Sequence, residues 1–150
     1  MVDMKTLTPD WTQELDRRRE GMVTLRRDFH RHPELSFDER RTAEIIAERL
    51  QAAKFEVRTG LGRTGVVGVL HGDRPGRTIA WRADIDALPL TEILDAPFTS
   101  GTPGVMHACG HDGHTAIAIT LAELMSARRA QVPGTAVFIF QPAEEQLGGA

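Results

Sequence analysis

The sequence predicts an α/β protein in which helices are layered on a β-sheet, and three observations support this prediction. Two helical segments near the N-terminus are followed by three short strand-like segments. A nearly all-apolar helix then precedes a strand that is apolar on both faces. With 150 residues, 41% of them hydrophobic and 26% charged, the chain has a globular composition and can bury roughly 70% of its unfolded surface.

The first helix is predicted over residues 9–29. Thr8 can cap it, and Pro9 is tolerated at the first helical position. The helix should end before Pro33, because the residue that precedes a proline avoids the helical region.

The second helix is predicted over residues 36–53. Ser36 and Glu39 have the spacing of a capping box, with Ser36 as the cap. Its apolar stripe consists of Ala43, Ile46, Ala47 and Leu50.

The remaining elements are predicted from apolar runs and turn residues. The predicted strands are residues 55–58, 66–70 and 77–82, with a turn at 73–76. A helix over residues 115–130 is apolar around nearly its whole circumference and should be largely buried. A last strand, over residues 135–140, has the two-sided apolar character of a central parallel strand.

Composition also excludes several classes of protein. The net charge of −3 argues against a nucleic-acid partner, and the apolar runs are too short to span a membrane. The N-terminus lacks the apolar region of a secretory signal, and the single cysteine, Cys109, forms no internal disulfide. We therefore expect a cytoplasmic protein. We also expect a fragment of a longer chain, whose exposed sheet edge would allow a homo-oligomer.

Two polar clusters follow predicted strands, where ligands bind in open α/β sheets. Asp84 and Asp86 lie two residues apart, so an extended backbone would point both carboxylates one way. Glu144 and Glu145 are adjacent and diverge, so one carboxylate could hold a metal while the other takes a proton from water. Taken alone, each pair is also compatible with an ordinary capping or solvated role.

The third cluster, residues 107–114, contains three histidines, a cysteine and an aspartate, and no Lys or Arg lies between Arg82 and Arg128. If the stretch is extended, His107, Cys109 and His111 share one side. A thiolate and an imidazole two residues apart can both bind one divalent ion. A buried cysteine among capping residues is the alternative, and we consider a metal site the better interpretation.

Four segments of this chain resemble signatures of the M20 metallopeptidase family. The resemblance is to the branch of N-acyl-amino-acid amidohydrolases, hippurate hydrolases and auxin-conjugate hydrolases, and it covers about residues 20–150. The segments are HRHPELSF at residues 30–37, RADIDALP at 82–89, MHACGHDGH at 106–114 and FQPAEE at 140–145.

The resemblance implies a three-layer helix–sheet–helix fold with a mixed, largely parallel sheet, as in zinc exopeptidases, here incomplete. Residues 1–150 would form the N-terminal part of the metal-dependent catalytic domain. The remainder of that domain, with two further His ligands, and the inserted lid domain would lie outside them.

The resemblance also implies site roles. Cys109, His111 and Glu145 match ligands of one or two divalent metal ions, which could be Zn, Mn, Co or Ni. Glu144 matches the general base, and Asp84 matches an acid near the metals. The wider clan has a metal-binding His at the position of Arg82, whereas Arg82 follows the amidohydrolase branch, in which the Cys-x-His pair supplies ligands instead. Supporting roles are left to Asp86, Asp112, His107 and His114.

The function implied is hydrolysis of the amide bond of a small N-acyl amino acid by metal-activated water. One alternative is an incomplete metal-binding fragment without turnover. Another is a thiol redox protein that uses Cys109, which would lack a resolving cysteine.

Overall fold

The computed structural model describes residues 9–149, so the predicted cap Thr8 lies outside the described residues. The elements are α1 (Pro9–Arg31), α2 (Arg40–Ala52), β1 (Glu56–Leu61), β2 (Gly65–His71), β3 (Arg74–Asp84), α3 (His111–Ala127) and β4 (Pro133–Gln141). Short 3-10 helices cover Arg129–Gln131 and Glu144–Gln146. Every helix and strand predicted from the sequence is therefore present, with shifted ends.

The four strands form one mixed sheet in the order β1-β2-β4-β3. The β1–β2 and β2–β4 pairs are antiparallel, and β3–β4 is parallel. The mixed α/β architecture is confirmed, but the sheet is less parallel than expected. The reason is the connections: β1 and β2 are joined by a tight turn, whereas β3 reaches β4 through the α3 crossover that a parallel pair requires.

The hydrophobic core lies on one face of this sheet. Phe138 and Phe140 of β4 point to that face and pack with side chains of α2 and α3, while α1 packs on α3. The stripe predicted for α2 is confirmed, since Ile46, Ala47 and Leu50 are buried. Two of the three expected layers are thus present in residues 9–149.

The β3 edge and the opposite face are less covered. Ile79 and Trp81 of β3 expose 67% and 46% of their surface, and with Leu121 and Met125 they line a groove of about 210 Å³. On the face away from the core, Val67, Val69 and Val137 are half-buried and Ile139 is exposed. Within residues 9–149, no helix has the length and apolar composition needed to cross a bilayer.

The start of α2 differs from the predicted capping box. Glu39 takes the N-cap position but makes no cap hydrogen bond, and the Ser36 hydroxyl donates to Asp86 instead. The carboxylate of Glu34 accepts from the amides of Arg41 and Thr42, at 2.9 and 2.8 Å. A carboxylate from outside the helix thus satisfies the first-turn amides, which leaves Ser36 and Glu39 for other contacts.

The turn predicted at residues 73–76 lies earlier in the chain than expected. The chain turns at Gly72 and Asp73, and β3 already begins at Arg74, with an irregular register between Arg74 and Thr78. The Pro–Gly pair falls within this irregular stretch of an edge strand, where such residues are commonly found.

Candidate metal centre

The site forms where β3 and β4 end side by side. Asp84 is the register partner of Gln141, so the residues that follow both strands lie at the same edge of the sheet. The N-terminus of α3 reaches this edge as well, since the Thr115 hydroxyl donates to the carbonyl of Asp84 at 3.2 Å. The three clusters predicted from the sequence therefore meet.

Two overlapping groups of donor atoms lie close enough to hold a metal ion. One is formed by Cys109, His111 and Glu145, and the other by Asp84, His111 and His114. In each group the donor atoms lie within 4.8 Å of one another. His111 belongs to both groups and is the centre of the arrangement.

Asp86 fixes the orientation of the His111 ring. His111 Nδ1 lies 3.0 Å from the Asp86 carbonyl oxygen and 3.2 Å from its Oδ1. Both oxygens can only accept hydrogen bonds, so Nδ1 carries the proton. Nε2 then faces the site, where it lies 3.9 Å from Asp84 Oδ2, 3.9 Å from Glu144 Oε2 and 3.8 Å from Glu145 Oε1.

Hydrogen bonds shift the pKa values of Asp86 and His111 in opposite directions. Burial alone would raise the pKa of Asp86, but bonds from His111, Ser36 and the Glu145 amide lower it to about 2. Burial alone would lower the pKa of His111, but its bonds to Asp86 and the nearby carboxylates raise it. Asp86 is therefore ionised throughout the neutral range and supports a positive charge at His111 or at an ion bound to Nε2.

The surroundings of Cys109 and Glu145 fit a bound cation. The pKa of the Cys109 thiol is raised, because the adjacent Glu145 carboxylate favours the protonated thiol, and partial desolvation and other nearby carboxylates act in the same direction. Glu145 Oε1 is buried without a hydrogen-bond partner among the described residues. A divalent ion would coordinate that oxygen and would offset the repulsion between the thiolate and the nearby carboxylates. Thiolate, imidazole and carboxylate are also the ligands that Zn²⁺ prefers. The residues present therefore fit a metal ion.

Asp84, the predicted acid near the metals, does lie at the centre. Its Oδ2 is 3.9 Å from His111 Nε2 and 3.8 Å from His114 Nδ1, and its other oxygen pairs with Arg82. Among the described residues, the Asp84 carboxylate accepts no hydrogen bond that would orient the His111 ring. That supporting contact comes from Asp86, whose role the sequence left open.

His107 lies outside both groups of donor atoms, because residues 107–111 are not extended, and an extended backbone was the condition for His107, Cys109 and His111 to share one side. The chain bends at Ala108 and Cys109, and Gly110 adopts φ +83° as the N-cap of α3, which begins at His111. His107 is buried between the centre and α1, its ring 6.5 Å from that of His30. Burial lowers the pKa of His107 to about 4.

Asp112 also faces away from the centre. Its Oδ2 bonds His30 Nδ1 at 2.6 Å and pairs with Arg26 at 2.8 Å, while its Oδ1 accepts from the Gly113 amide. His30 Nε2 in turn bonds Glu92 at 2.9 Å. This buried network anchors the start of α3 to α1.

The loop that carries Glu144 and Glu145 is held in an uncommon conformation. Ala143 and Leu147, on either side of the 3-10 helix, have φ of +52° and +53°. The left-handed region disfavours residues with a side chain by about 1–2 kcal/mol. The Glu145 amide donates to Asp86 Oδ2 at 3.0 Å, so Asp86 connects this loop to His111.

Comparison with known proteins agrees with this geometry. Residues 80–150 match the model of a family described as Peptidase family M20/M25/M40. The chain is 48% identical to N-acetylcysteine deacetylase of Bacillus subtilis, over 86% of this chain and 34% of that protein. It is 44% identical to N-acyl-L-amino acid amidohydrolase of Geobacillus stearothermophilus, over 90% of this chain and 36% of that protein.

This chain is also similar to a solved structure. The YXEP protein of Bacillus subtilis, described as a dinuclear metal binding peptidase from the M20 family, superposes with a TM-score of 0.81 and 46% identity. The superposition covers 87% of this chain and 37% of that chain. The resemblance to the M20 family that the sequence motifs predicted is confirmed, and residues 80–150 match the family model. The chain spans about a third of the length of the relatives it matches.

Proposed function

We propose that the protein containing this chain is a metal-dependent amidohydrolase that cleaves the amide bond of N-acyl amino acids. The observation that carries the proposal is the orientation of His111. Its Nδ1 is bonded to Asp86, and its Nε2 faces Asp84, Glu144 and Glu145 at 3.8–3.9 Å. Such an imidazole among carboxylates and a thiol is arranged to bind a cation.

Cys109, His111 and Glu145 would hold the ion, with Asp84 beside them. A bound divalent cation supplies Lewis-acid polarisation of the amide carbonyl and lowers the pKa of water. One or two ions of Zn, Mn, Co or Ni fit this mixed donor set. Because the chain spans about a third of its relatives, we propose that residues 1–150 are the N-terminal part of a catalytic domain completed by later residues.

Glu144 would move the proton. Its Oε2 is 3.9 Å from His111 Nε2, and its side chain is 36% exposed, so both the centre and the solvent are within reach. Water adds to the carbonyl carbon while Glu144 accepts one of its protons. The C–N bond then breaks, and Glu144 returns the proton to the leaving nitrogen, which gives a carboxylic acid and an amine.

The names of the relatives support the choice of substrate. Proteins called N-acyl-L-amino acid amidohydrolase and N-acetylcysteine deacetylase both have substrates with an acyl group on the nitrogen of an amino acid. A cytoplasmic location is in keeping with the single cysteine.

A matched pair of isosteric substitutions in the full-length protein tests the roles of the two glutamates. We expect Glu144→Gln to retain bound Zn²⁺ and to lose hydrolysis of N-acetyl and N-benzoyl amino acids by about 10²–10⁴-fold, as for loss of a general base. Glu145→Gln should lose metal affinity. Metal content is measured beside the rate of amine release.

Two results would contradict the proposal. Glu144→Gln with the parent rate at full metal content would remove Glu144 from the proton transfer. A parent protein that binds Zn²⁺ and releases no amine from any N-acyl amino acid would favour the alternative of metal binding without turnover.

A further inference from the structure

We propose that Glu39 is a positioning residue for Glu144 and Glu145, acting through the backbone of Ala143. This inference rests on the proposed function. Glu39 precedes α2 in the sequence and is 104 residues from Ala143, yet its Oε1 accepts the Ala143 amide at 2.8 Å. Its Oε2 accepts the Thr64 hydroxyl at 2.5 Å.

The burial of Glu39 is unusual for a residue with only a packing role. Its exposure is 0%, and both hydrogen bonds come from neutral donors, a backbone amide and a hydroxyl. Removing a carboxylate from water is costly unless its oxygens are satisfied, and an apolar side chain would fill the same space without that cost. A glutamate at this position is therefore best explained by what its oxygens hold.

What Glu39 holds is the start of the loop that carries both glutamates. Ala143 has φ +52° and ψ +36°, a conformation that residues with a Cβ adopt rarely. Its carbonyl oxygen accepts the amides of Gln146 and Gly148, so the turn closes around it. A hydrogen bond to the Ala143 amide selects this orientation of the peptide over the right-handed alternative.

Two buried carboxylates thus accept hydrogen bonds from alternate amides of the loop. Glu39 accepts from Ala143, and Asp86 accepts from Glu145 at 3.0 Å. Glu144 lies between them, so its direction is set at both ends. If the hydrogen bond between Glu39 and the Ala143 amide is lost, the peptide can rotate and move both glutamate side chains relative to His111. A displacement of about 1 Å can cost about 10²-fold in rate.

The test uses four variants of the full-length protein. Glu39→Asp draws the carboxylate back by one methylene group, and Glu39→Met removes it at similar length. Glu39→Gln keeps an acceptor oxygen for Ala143 and can donate to the Thr64 oxygen. Thr64→Val is the matched control, because it removes the second hydrogen bond of Glu39 and leaves the first.

Two readouts are compared in folded, purified protein. We expect Glu39→Asp and Glu39→Met to lower kcat by about 100-fold with little change in KM. The same two variants should bind Co²⁺ about 10–100-fold more weakly, measured by the absorption of the cobalt–thiolate complex. Glu39→Gln and Thr64→Val should stay within about threefold of the parent in both readouts, whatever their melting temperatures.

The outcomes separate this inference from the proposed function. Parent-like kcat and Co²⁺ affinity in folded Glu39→Asp or Glu39→Met would overturn the positioning role, as would an equal loss in Thr64→Val. A large loss in folded Glu39→Gln would also overturn it, since the acceptor is retained. If the parent hydrolyses no N-acyl amino acid but Glu39→Met still loses Co²⁺ affinity and Glu39→Gln does not, the proposed function fails and the positioning of Glu145 stands.

Discussion

Replacing Asp86 by Asn should reveal how much its ionised carboxylate contributes to the fold. The carboxylate binds His111 Nδ1, the Ser36 hydroxyl and the Glu145 amide. These bonds lower the pKa of Asp86 from 3.8 to about 2. A shift of this size corresponds to about 2 kcal/mol of preference for the ionised form in the folded state.

The sign of the pH dependence follows from the lowered pKa. The contribution of Asp86 is fully present above the unfolded-state pKa of 3.8, and it is lost as the pH falls towards about 2. Asn cannot ionise, so Asp86→Asn should lower the free energy of unfolding by about 2 kcal/mol at pH 6. The difference between parent and variant should shrink to about 1 kcal/mol at pH 3.

Urea unfolding of the metal-free, full-length protein at several pH values measures this difference. Ser36→Ala is the control, because it removes one of the three bonds and should cost about 1 kcal/mol while the pH dependence from Asp86 persists. A gap between parent and Asp86→Asn that stays constant from pH 6 to pH 3 would refute the assignment of the ionised carboxylate.

Two further predictions concern the thiol and the helix cap. Because the pKa of Cys109 is raised, the thiol is protonated at pH 7, and Zn²⁺ binding to the parent should release about one proton more than binding to Cys109→Ala. Calorimetry in buffers of different ionisation enthalpy measures the count, and equal release would exclude thiolate ligation. Glu34→Ala should destabilise the protein by about 1–2 kcal/mol and speed hydrogen exchange at the Arg41 and Thr42 amides, whereas Ser36→Ala should not speed that exchange. If Ser36→Ala speeds this exchange and Glu34→Ala does not, the predicted capping box is the true N-cap of α2.

Local patterns predicted the elements of the fold well, because each depends on nearby residues. The stripe of α2 is encoded in side-chain periodicity and is confirmed. The apolar run of β4 lies in the interior of the sheet as predicted, but β4 is parallel only to β3, and Ile139 leaves its outer face partly exposed. Strand direction is a different matter, since the antiparallel pairing of β2 with β4 joins residues about 70 positions apart. No local pattern specifies that pairing, so the sheet was expected to be more parallel than it is.

The residues of the site were predictable by type, but their partners were not. Cys109, His111 and Glu145 are gathered as expected, because parallel strands end at the same edge of a sheet. The contact of Asp86 with His111 depends on the turn at Gly110, which the assumption of an extended chain missed. Glu39 was interpreted as part of a capping box because its true partners, Thr64 and Ala143, lie far along the chain.

The exposed edge at Trp81 gives the protein an internal optical probe. The chain has two tryptophans, and Trp11 lies under the guanidinium of Arg128 at 5.0 Å and lines a neighbouring pocket with Ile79 of β3. Trp81 exposes 46% of its surface to water. A segment that docks over Trp81 would exclude water from this ring and shift its fluorescence to shorter wavelength, and in a Trp11→Phe variant the emission wavelength would distinguish an open edge from a covered one.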